Sequence, residues 1–257
     1  MTFVTRDLIK PCFEPQCDLG FKNLVVSGCS FTYNPSRTDA CTWPYYLRDL
    51  GKFQQVFDSS LSGAGNYHIA QSTQWCLELA DLDPSETLVI VMWSGNDRDD
   101  TILDQQYISK KYSAEFKYTN NVNTGLSGGL DEDAWSNVTM NFYRDLPMLK
   151  SKESRAVENF LYINGLYHYL KNKNYPFVFL NYLDPDVPNR SADFKIDQLL
   201  PKNLRLKYQS MFADVTDLYS WALKHDQLGD DDYHPTPDGH LEWCREILIP
   251  HLKQLNM

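Results

Sequence analysis

The amino-acid sequence predicts an α/β protein, a three-layer α/β/α sandwich with a mostly parallel central sheet. Short apolar runs alternate along the chain with helical segments, an order typical of a parallel sheet that helices cover on both faces. The run at residues 87–93 is apolar almost throughout, as expected of a strand buried on both sides. The length of 257 residues, with no internal repeat and no second apolar cluster, favours a single domain over residues 1–257.

Prolines, capping residues and glycines mark the boundaries of the predicted strands and helices along the chain. An irregular lead-in at residues 1–20, with Pro11 and Pro15, precedes the first strand. Thr42 is placed to cap the first helix and Gly51 to end it. Strands are predicted at residues 21–27, 54–59, 87–93 and 177–183, and helices at residues 43–50, 67–79, 154–171, 218–224 and 237–248.

Caps and prolines set the boundaries of the later helices. Asn66, Asp217 and Thr236 are each placed to cap the helix that follows. Pro250 is expected to end the last helix just before it, because proline cannot continue the hydrogen-bond ladder. Residues 98–150 show no clear period and have a Gly/Asn/Ser-rich centre. They are predicted to be an insertion, which either forms a lid over a functional site or is a surface loop without such a role.

Charge and hydropathy exclude several classes of partner. The 24 basic and 34 acidic residues give a net charge of −10, which opposes binding to nucleic acid and to anionic membranes. The longest apolar runs have the length of a strand, too short to cross a bilayer. No basic start with a long apolar core marks a signal peptide. The chain is therefore expected to be cytoplasmic at synthesis, with assembly or cell lysis as routes by which it could still reach the outside.

The cysteines do not indicate a metal or disulfide framework. Without a secretion signal, free thiols are expected rather than disulfides. A zinc site made by Cys12, Cys17, Cys29 and Cys41 is disfavoured, because the spacing of these cysteines fits no known zinc pattern. The six cysteines lie apart, without a Cys-x-x-Cys pair: Cys12, Cys17, Cys29, Cys41, Cys76 and Cys244.

The stretch from Val25 to Thr32 holds the best candidate for a reactive group. Its apolar strand stops at Gly28, which has no Cβ to obstruct a tight turn, and Ser30 follows two residues later. In a parallel sheet this turn lies at the carboxyl edge, where open α/β sheets bind ligands. A lone serine here is more often a plain turn residue, so its role depends on other groups in the chain.

A serine nucleophile needs a base, a partner for that base and donors for the oxyanion. His234 is the best candidate base, and Asp231, three residues earlier, can bond Nδ1 and leave Nε2 for the serine. Candidate oxyanion donors are the backbone N–H groups of Ser30 and Gly63 and the side-chain amide of Asn96. Taken singly, each residue is more often a turn or cap residue. Their order along the chain and their shared sheet edge favour a catalytic set.

These residues fall in four short blocks that resemble those of the SGNH (GDSL-type) hydrolases, a family of esterases and lipases. The resemblance covers about residues 21–250, and the insertion at 98–150 lies outside it. The blocks are Gly28-Cys29-Ser30-Phe31-Thr32 after the first strand, Asp58-Ser59-Ser60-Leu61-Ser62-Gly63 after the second, Gly95-Asn96-Asp97 after the third, and Asp231-Asp232-Tyr233-His234 before the last helix.

The resemblance implies the flavodoxin-like sandwich of that family and a serine ester hydrolase without a metal or organic cofactor. It implies that Ser30 is the nucleophile, His234 the general base and Asp231 the partner that orients the base. The backbone amide of Ser30, Gly63 and Asn96 would form the oxyanion hole.

Two positions depart from this pattern or leave it open. Cys29 stands where the family often has aspartate, but the serine carries the chemistry. Gly65 is the alternative to Gly63 if the turn is aligned differently. The blocks Gly-Cys-Ser-Phe-Thr and Ser-Gly-Ala-Gly-Asn are also similar, more loosely, to uncharacterised members encoded by tailed phages, which would make the protein virion-associated or released by lysis.

The predicted substrate is an ester of a small molecule or a glycan. Aromatic and asparagine residues between Tyr107 and Trp135 favour a cleft in which sugars stack, and hence removal of a short acyl group such as O-acetyl from a carbohydrate. A lipid acyl chain would need a long apolar groove, which no stretch indicates. Nucleic acid and membranes are not expected partners.

Three rival interpretations remain open. One is a non-catalytic carbohydrate-binding protein that keeps the fold, which burial of Ser30 beneath the insertion would support. Another uses Cys29 as nucleophile. The third is a metal-dependent hydrolase, although its ligands would come from one segment rather than from several strand ends: His225, Asp226, Asp230, Asp231, Asp232, His234 and His240.

Overall fold

The strands form one large and one small sheet. The computed structural model describes residues 4–5, 13–33, 42–95, 98–102, 121–125, 152–182, 200–229 and 234–255. The strands are β1 (Val4–Thr5), β2 (Asn23–Gly28), β3 (Gln55–Asp58), β4 (Thr87–Trp93), β5 (Arg98–Ile102), β6 (Asn121–Gly125) and β7 (Phe177–Asn181).

The central sheet has the strand order β1-β3-β2-β4-β7. The four strands from β3 to β7 are parallel, and Leu24 of β2 pairs with Val56 on one side and Leu88 on the other. The strand β1 pairs antiparallel with β3 at the sheet edge. The prediction of an irregular lead-in is therefore wrong at Val4–Thr5, because a two-residue edge strand has no periodicity and forms only where a partner strand offers free backbone groups.

Helices cover both faces of this sheet, as the sequence predicts for the α/β/α sandwich. On one face α2 packs against α3, and the Ser27 hydroxyl of β2 lies 3.2 Å from the Ser72 hydroxyl of α2. α1 packs against α6, and α6 against α5. The helices are α1 (Trp43–Leu50), α2 (Asn66–Ala80), α3 (Lys152–Asn172), α4 (Lys202–Gln209), α5 (Leu218–Lys224), α6 (Pro237–Trp243) and α7 (Ile249–Gln254), with a 3₁₀ turn at Pro84–Glu86.

The predicted helix caps are partly confirmed. Asp217 accepts a hydrogen bond from the backbone N–H of Ser220, and Thr236 caps α6 in the same way. Thr42 occupies the cap position of α1 but makes no capping hydrogen bond. The prediction for Asn66 is wrong: Gly65 occupies the cap position, and Asn66 is the first helical residue, because its amide is engaged elsewhere.

The last helix does not end at Pro250. The chain continues from α6 through a π-helical turn, Cys244–Leu248, into α7, and the backbone N–H of Ile249 donates to the carbonyl of Cys244. In a regular α-helix the ring of Pro250 would clash with the carbonyl of Glu246. The wider π turn accommodates the proline, so the prediction of a stop near residue 248 is wrong.

The predicted insertion at 98–150 starts with a small sheet. β5 and β6 pair antiparallel, with Arg98 opposite Gly125 and Ile102 opposite Asn121. The rest of the insertion, residues 103–120 and 126–150, lies outside the described residues, and with it the aromatic side chains from Tyr107 to Trp135. Among the described helices, none combines the length and hydropathy that a bilayer span requires.

Candidate active site

Ser30 lies on a turn at the carboxyl edge of the sheet. The strand β2 ends at Gly28, and the Cys29 carbonyl then accepts hydrogen bonds from the backbone N–H groups of Thr32 (2.9 Å) and Tyr33 (3.0 Å). These two bonds close a single helical turn that contains Ser30. The side chain is half-buried, and it is therefore open on one side.

Gly28 is required by a close approach of its neighbours. A Cβ at this position would lie 2.2 Å from Thr32 Oγ1 and 3.0 Å from the carbonyl oxygen of Met92. Both distances are shorter than normal van der Waals contact, so any larger residue would push the serine turn away from β4. The absence of a side chain at Gly28 therefore allows the serine turn to pack close to β4.

His234 lies against the serine. Its Nε2 is 2.7 Å from Ser30 Oγ, a normal hydrogen-bond distance. The segment that carries His234 is fixed by backbone pairing: Leu228 bridges Pro235, and the N–H of Gly229 donates to the His234 carbonyl at 2.8 Å. The structure thus brings together two of the predicted site residues.

One tryptophan pair supports both sides of this contact. Trp43 of α1 donates from its indole N–H to Thr32 Oγ1 in the serine turn, at 3.3 Å. Its ring meets that of Trp243 edge to face, with centroids 6.3 Å apart. Trp243 belongs to α6, the helix that starts three residues after His234. Because both indoles are fully buried, the turn and the histidine segment are held to the same part of the core.

Phe31 packs against the imidazole. The ring centroids of Phe31 and His234 are 4.7 Å apart, and Phe31 also contacts Tyr182 (4.8 Å) and Tyr219 (6.3 Å). Phe31 is buried. Phe31 thus packs on the imidazole, and Tyr182 and Tyr219 pack on Phe31 behind it. The sequence did not reveal this aromatic cluster, because its members are far apart along the chain.

Gly63 lies on a loop tied to the same strand end. Its φ of +76° falls in the left-handed region that favours glycine. The N–H of Leu61 donates to the Gly28 carbonyl at 3.1 Å, and the N–H of Ala64 donates to the Leu61 carbonyl at 3.0 Å. Within the described residues, no group accepts a hydrogen bond from the N–H of Gly63 or of Ser30. The described part of the chain therefore does not use either N–H group.

Gly65 is different, because its N–H is already engaged. Asp100 of β5 accepts hydrogen bonds from the N–H of Gly65 (2.9 Å) and of His68 (2.7 Å). A Cβ on Gly65 would lie 2.7 Å from the Asp100 carboxylate. Asp100 thus caps α2 from another element, an arrangement that also suits the positive end of the helix dipole. Of the two glycines, Gly63 is the one whose N–H has no acceptor in the described part of the chain.

Asn66 holds Ser94, the residue just before the third block. Its Oδ1 accepts from the N–H of Ser94 (2.9 Å), and its Nδ2 donates to the Ser94 carbonyl (3.2 Å) and to Asn159 Oδ1 (2.8 Å). Sequence reasoning treated Asn66 as a helix cap and missed this role. The signal for it, an asparagine directly after the small-residue turn, is the same one that predicts a cap.

His240 is a second histidine close to the site. It is buried, and burial together with the charge of nearby His234 lowers the pKa of His240 to about 3. The ring is therefore neutral near pH 7. His225, another proposed metal ligand, stacks on Trp221 with a centroid distance of 4.3 Å. Within the described ranges no group of three or more His, Cys, Asp or Glu side chains could hold a metal ion.

Several predicted residues cannot be placed. Asn96 and Asp231 lie outside the described residues, as do Asp97, Asp230 and Asp232, so their roles stay predictions. The cysteines Cys17, Cys29, Cys76 and Cys244 are free thiols, whereas Cys12 and Cys41 also lie outside the described part. Cys29 is fully buried.

Comparison with known proteins supports the fold. No family model and no curated protein matches the sequence. The psychrotrophic esterase EstA from Pseudoalteromonas sp. superposes with a TM-score of 0.51 at 13% identity, over 91% of this chain and 98% of that chain.

Two further structures superpose more loosely and add nothing to the fold assignment. A mutant of Axe2, an acetyl-xylooligosaccharide esterase from Geobacillus stearmophilus, gives a TM-score of 0.49 at 15% identity, over 91% and 96% of the two chains. A GDSL-like lipase from Bacteroides thetaiotaomicron gives 0.46 at 14% identity, over 91% and 89%. Together with the parallel central sheet, the EstA superposition shows that the chain has the three-layer α/β/α fold that the sequence predicts.

Proposed function

We propose that this protein is a serine esterase that cleaves a carboxylic ester through an acyl-enzyme. The observation that carries the proposal is the 2.7 Å contact between Ser30 Oγ and His234 Nε2. A serine hydroxyl hardly ionises at neutral pH, so it attacks a carbonyl only when a base accepts its proton. The imidazole is at the required distance and on the open edge of the sheet.

In the first half-reaction Ser30 Oγ attacks the ester carbonyl carbon. His234 Nε2 takes the hydroxyl proton as the new C–O bond forms, and the carbonyl oxygen becomes an oxyanion. When the tetrahedral intermediate collapses, the imidazolium returns this proton to the leaving alcohol. The acyl group then remains on Ser30.

In the second half-reaction water replaces the alcohol. His234 removes a proton from the attacking water and then gives it to Ser30 Oγ as the acid leaves. The chemistry uses only groups of this chain. Asp231 would hold the imidazole in the correct tautomer, as its spacing from His234 and the family resemblance imply.

The oxyanion would be bound by preorganised donors. The N–H groups of Ser30 and Gly63 have no acceptor among the described residues, which leaves them available for a developing negative charge. Asn96 would add a third donor, as the resemblance implies. Loss of a single donor in such holes typically costs about 100–1,000-fold in kcat.

For the substrate, we propose a short acyl group, such as O-acetyl, on a carbohydrate. Tyr182, which packs on Phe31 beside the imidazole, is only partly buried, and faces of sugars bind to such aromatic side chains. The tyrosine- and asparagine-rich stretch of the insertion is a second source of such groups. The net charge of −10 opposes anionic lipid surfaces.

A phosphonate probe tests the mechanism without knowledge of the natural substrate. The EstA structure is that of the esterase inhibited by monoethylphosphonate. A fluorophosphonate reacts with an activated serine and leaves a stable adduct. Mass spectrometry of the labelled protein should place the adduct on Ser30, and Ser30→Ala should not be labelled. An adduct elsewhere, or none, would overturn the serine mechanism.

A chelator separates this proposal from the metal-dependent alternative. Wild type is assayed on a short-chain nitrophenyl ester before and after treatment with EDTA. Activity that withstands EDTA agrees with chemistry carried by Ser30 and His234. Activity that EDTA removes and a divalent metal restores would favour the metal hydrolase instead.

A further inference from the structure

We infer that Asn66 is a positioning residue, which fixes the chain leading into Asn96 relative to the loop that carries Gly63. This inference rests on the proposed esterase function and on the oxyanion hole assigned above. Asn66 does not touch the reacting atoms. It acts through the backbone of Ser94, two residues before Asn96 in the third block.

The contact between Asn66 and Ser94 resembles one rung of a β-ladder. The Asn66 side chain both accepts from the Ser94 N–H and donates to the Ser94 carbonyl. Two opposed hydrogen bonds to one residue fix its position and its orientation. Ser94 directly follows the last residue of β4, so the amide continues the pairing where the strand itself stops.

A second anchor lies on the same helical turn. Asp100 accepts from the N–H groups of Gly65 and His68, so the chain is attached to the first turn of α2 both before and after Asn96. The same turn is preceded by Gly63, only three residues before Asn66. One short stretch, residues 63–68, therefore carries Gly63 and holds both Ser94 and Asp100 by hydrogen bonds.

The burial of Asn66 makes this attachment stiff. The residue is 1% exposed, and its Nδ2 also donates to Asn159 Oδ1 on α3, while Asn159 Nδ2 donates to the Arg155 carbonyl at 2.9 Å. A buried amide that lost these partners would leave unsatisfied polar groups. The network consequently has one favourable arrangement, which is what a preorganised oxyanion hole requires.

The variant Asn66→Asp tests the inference with almost no change of shape. An aspartate oxygen still accepts from Ser94 N–H, but the other oxygen would face the Ser94 carbonyl and Asn159 Oδ1, two acceptors. We expect kcat on a nitrophenyl ester to fall by about 10–100-fold through displacement of the hole. KM should change by less than about threefold, because ground-state binding does not use the oxyanion donors in full.

A matched control separates positioning from general weakening of the helix pair. Tyr169 of α3 donates from its hydroxyl to Glu78 of α2 at 2.6 Å, in an exposed part of the same α2–α3 pair. Tyr169→Phe removes this bond and should leave kcat unchanged. If Asn66→Asp does not fold, Asn66→Ser, which keeps a hydroxyl at the helix start, should show the same loss of kcat at nearly unchanged KM.

Ser30→Ala in the same assay separates the two proposals. If Ser30→Ala is inactive and Asn66→Asp keeps the wild-type kcat, the positioning role is wrong and the esterase mechanism stands. If Ser30→Ala keeps activity, or wild type neither hydrolyses esters nor reacts with a fluorophosphonate, the esterase proposal fails and the role of Asn66 fails with it. A fall of kcat for Tyr169→Phe equal to that of Asn66→Asp would also overturn the positioning role.

Discussion

Ser30 Oγ and His234 Nε2 lie 2.7 Å apart although 204 positions separate the two residues in the chain. Each is carried by a short irregular segment, and each segment is attached to the same buried tryptophan pair. Trp43 bonds the serine turn, and Trp243 belongs to the helix that follows the histidine. The contact is therefore a product of core packing, and the core must be intact for any chemistry that uses it.

Replacement of either residue should remove activity. For Ser30→Ala and His234→Ala we expect kcat on a short-chain nitrophenyl ester to fall by roughly a thousandfold or more, the scale for loss of a triad member. Ser85→Ala, a serine at the opposite end of β4 whose hydroxyl bonds only Asp83 in the described part, is the control and should be fully active. An active Ser30→Ala would show that the serine mechanism is wrong.

The two glycines of the second block should respond differently. Gly63→Ala forces alanine into φ +76°, a strain of about 1–2 kcal/mol, and should shift the N–H and lower kcat at least about tenfold. Gly65→Ala should instead lower the free energy of unfolding, because its Cβ meets the Asp100 carboxylate. Activity is compared per folded molecule by phosphonate titration. Greater loss of kcat for Gly65→Ala would make Gly65 the donor.

The carboxylate of Asp100 should stabilise α2. Asp100→Ala leaves the N–H groups of Gly65 and His68 without their acceptor, and we expect a loss of about 1 kcal/mol in the free energy of unfolding, as for other helix caps. Urea unfolding measures this change. Asp100→Asn keeps an acceptor oxygen and should recover part of the loss. An Asp100→Ala variant as stable as wild type would contradict the capping role.

The buried His240 should make the protein acid-sensitive. Its pKa is lowered to about 3 by burial and by the neighbouring charge of His234, whereas an unfolded histidine titrates near pH 6.5. Between these values the unfolded chain binds more protons, so stability present above pH 6.5 is lost as the pH falls. By pH 4.5 the loss should reach about 2–3 kcal/mol.

The variant His240→Phe tests this pH dependence. It cannot titrate at this position, so its free energy of unfolding should fall less between pH 6.5 and 4.5 than that of wild type. The slope is compared rather than the absolute stability, since the larger ring also changes packing. Equal slopes for the two proteins would show that another group controls acid unfolding.

Much of the fold follows from local patterns. The strand that ends at Gly28, the apolar run of β4 and the caps Asp217 and Thr236 are all determined by residues within a few positions of one another. Local propensity acts over this range, because turns, caps and strand periodicity depend on neighbouring backbone and side chains. The order of strands and helices then restricts the topology to a parallel sheet.

Local patterns are thus enough to predict the α/β class and to name the candidate site residues. The folded chain also shows that the last helix passes Pro250 and that Val4–Thr5 completes the sheet edge. The contact of Ser30 with His234, the bond from the N–H of Gly65 to Asp100, and the bonds of Asn66 to Ser94 in place of a helix cap appear only in the folded chain. In each of these three contacts the partner lies far away in the sequence. A polar group could bond several partners, and only the packing of the folded chain leaves one of them within hydrogen-bond distance.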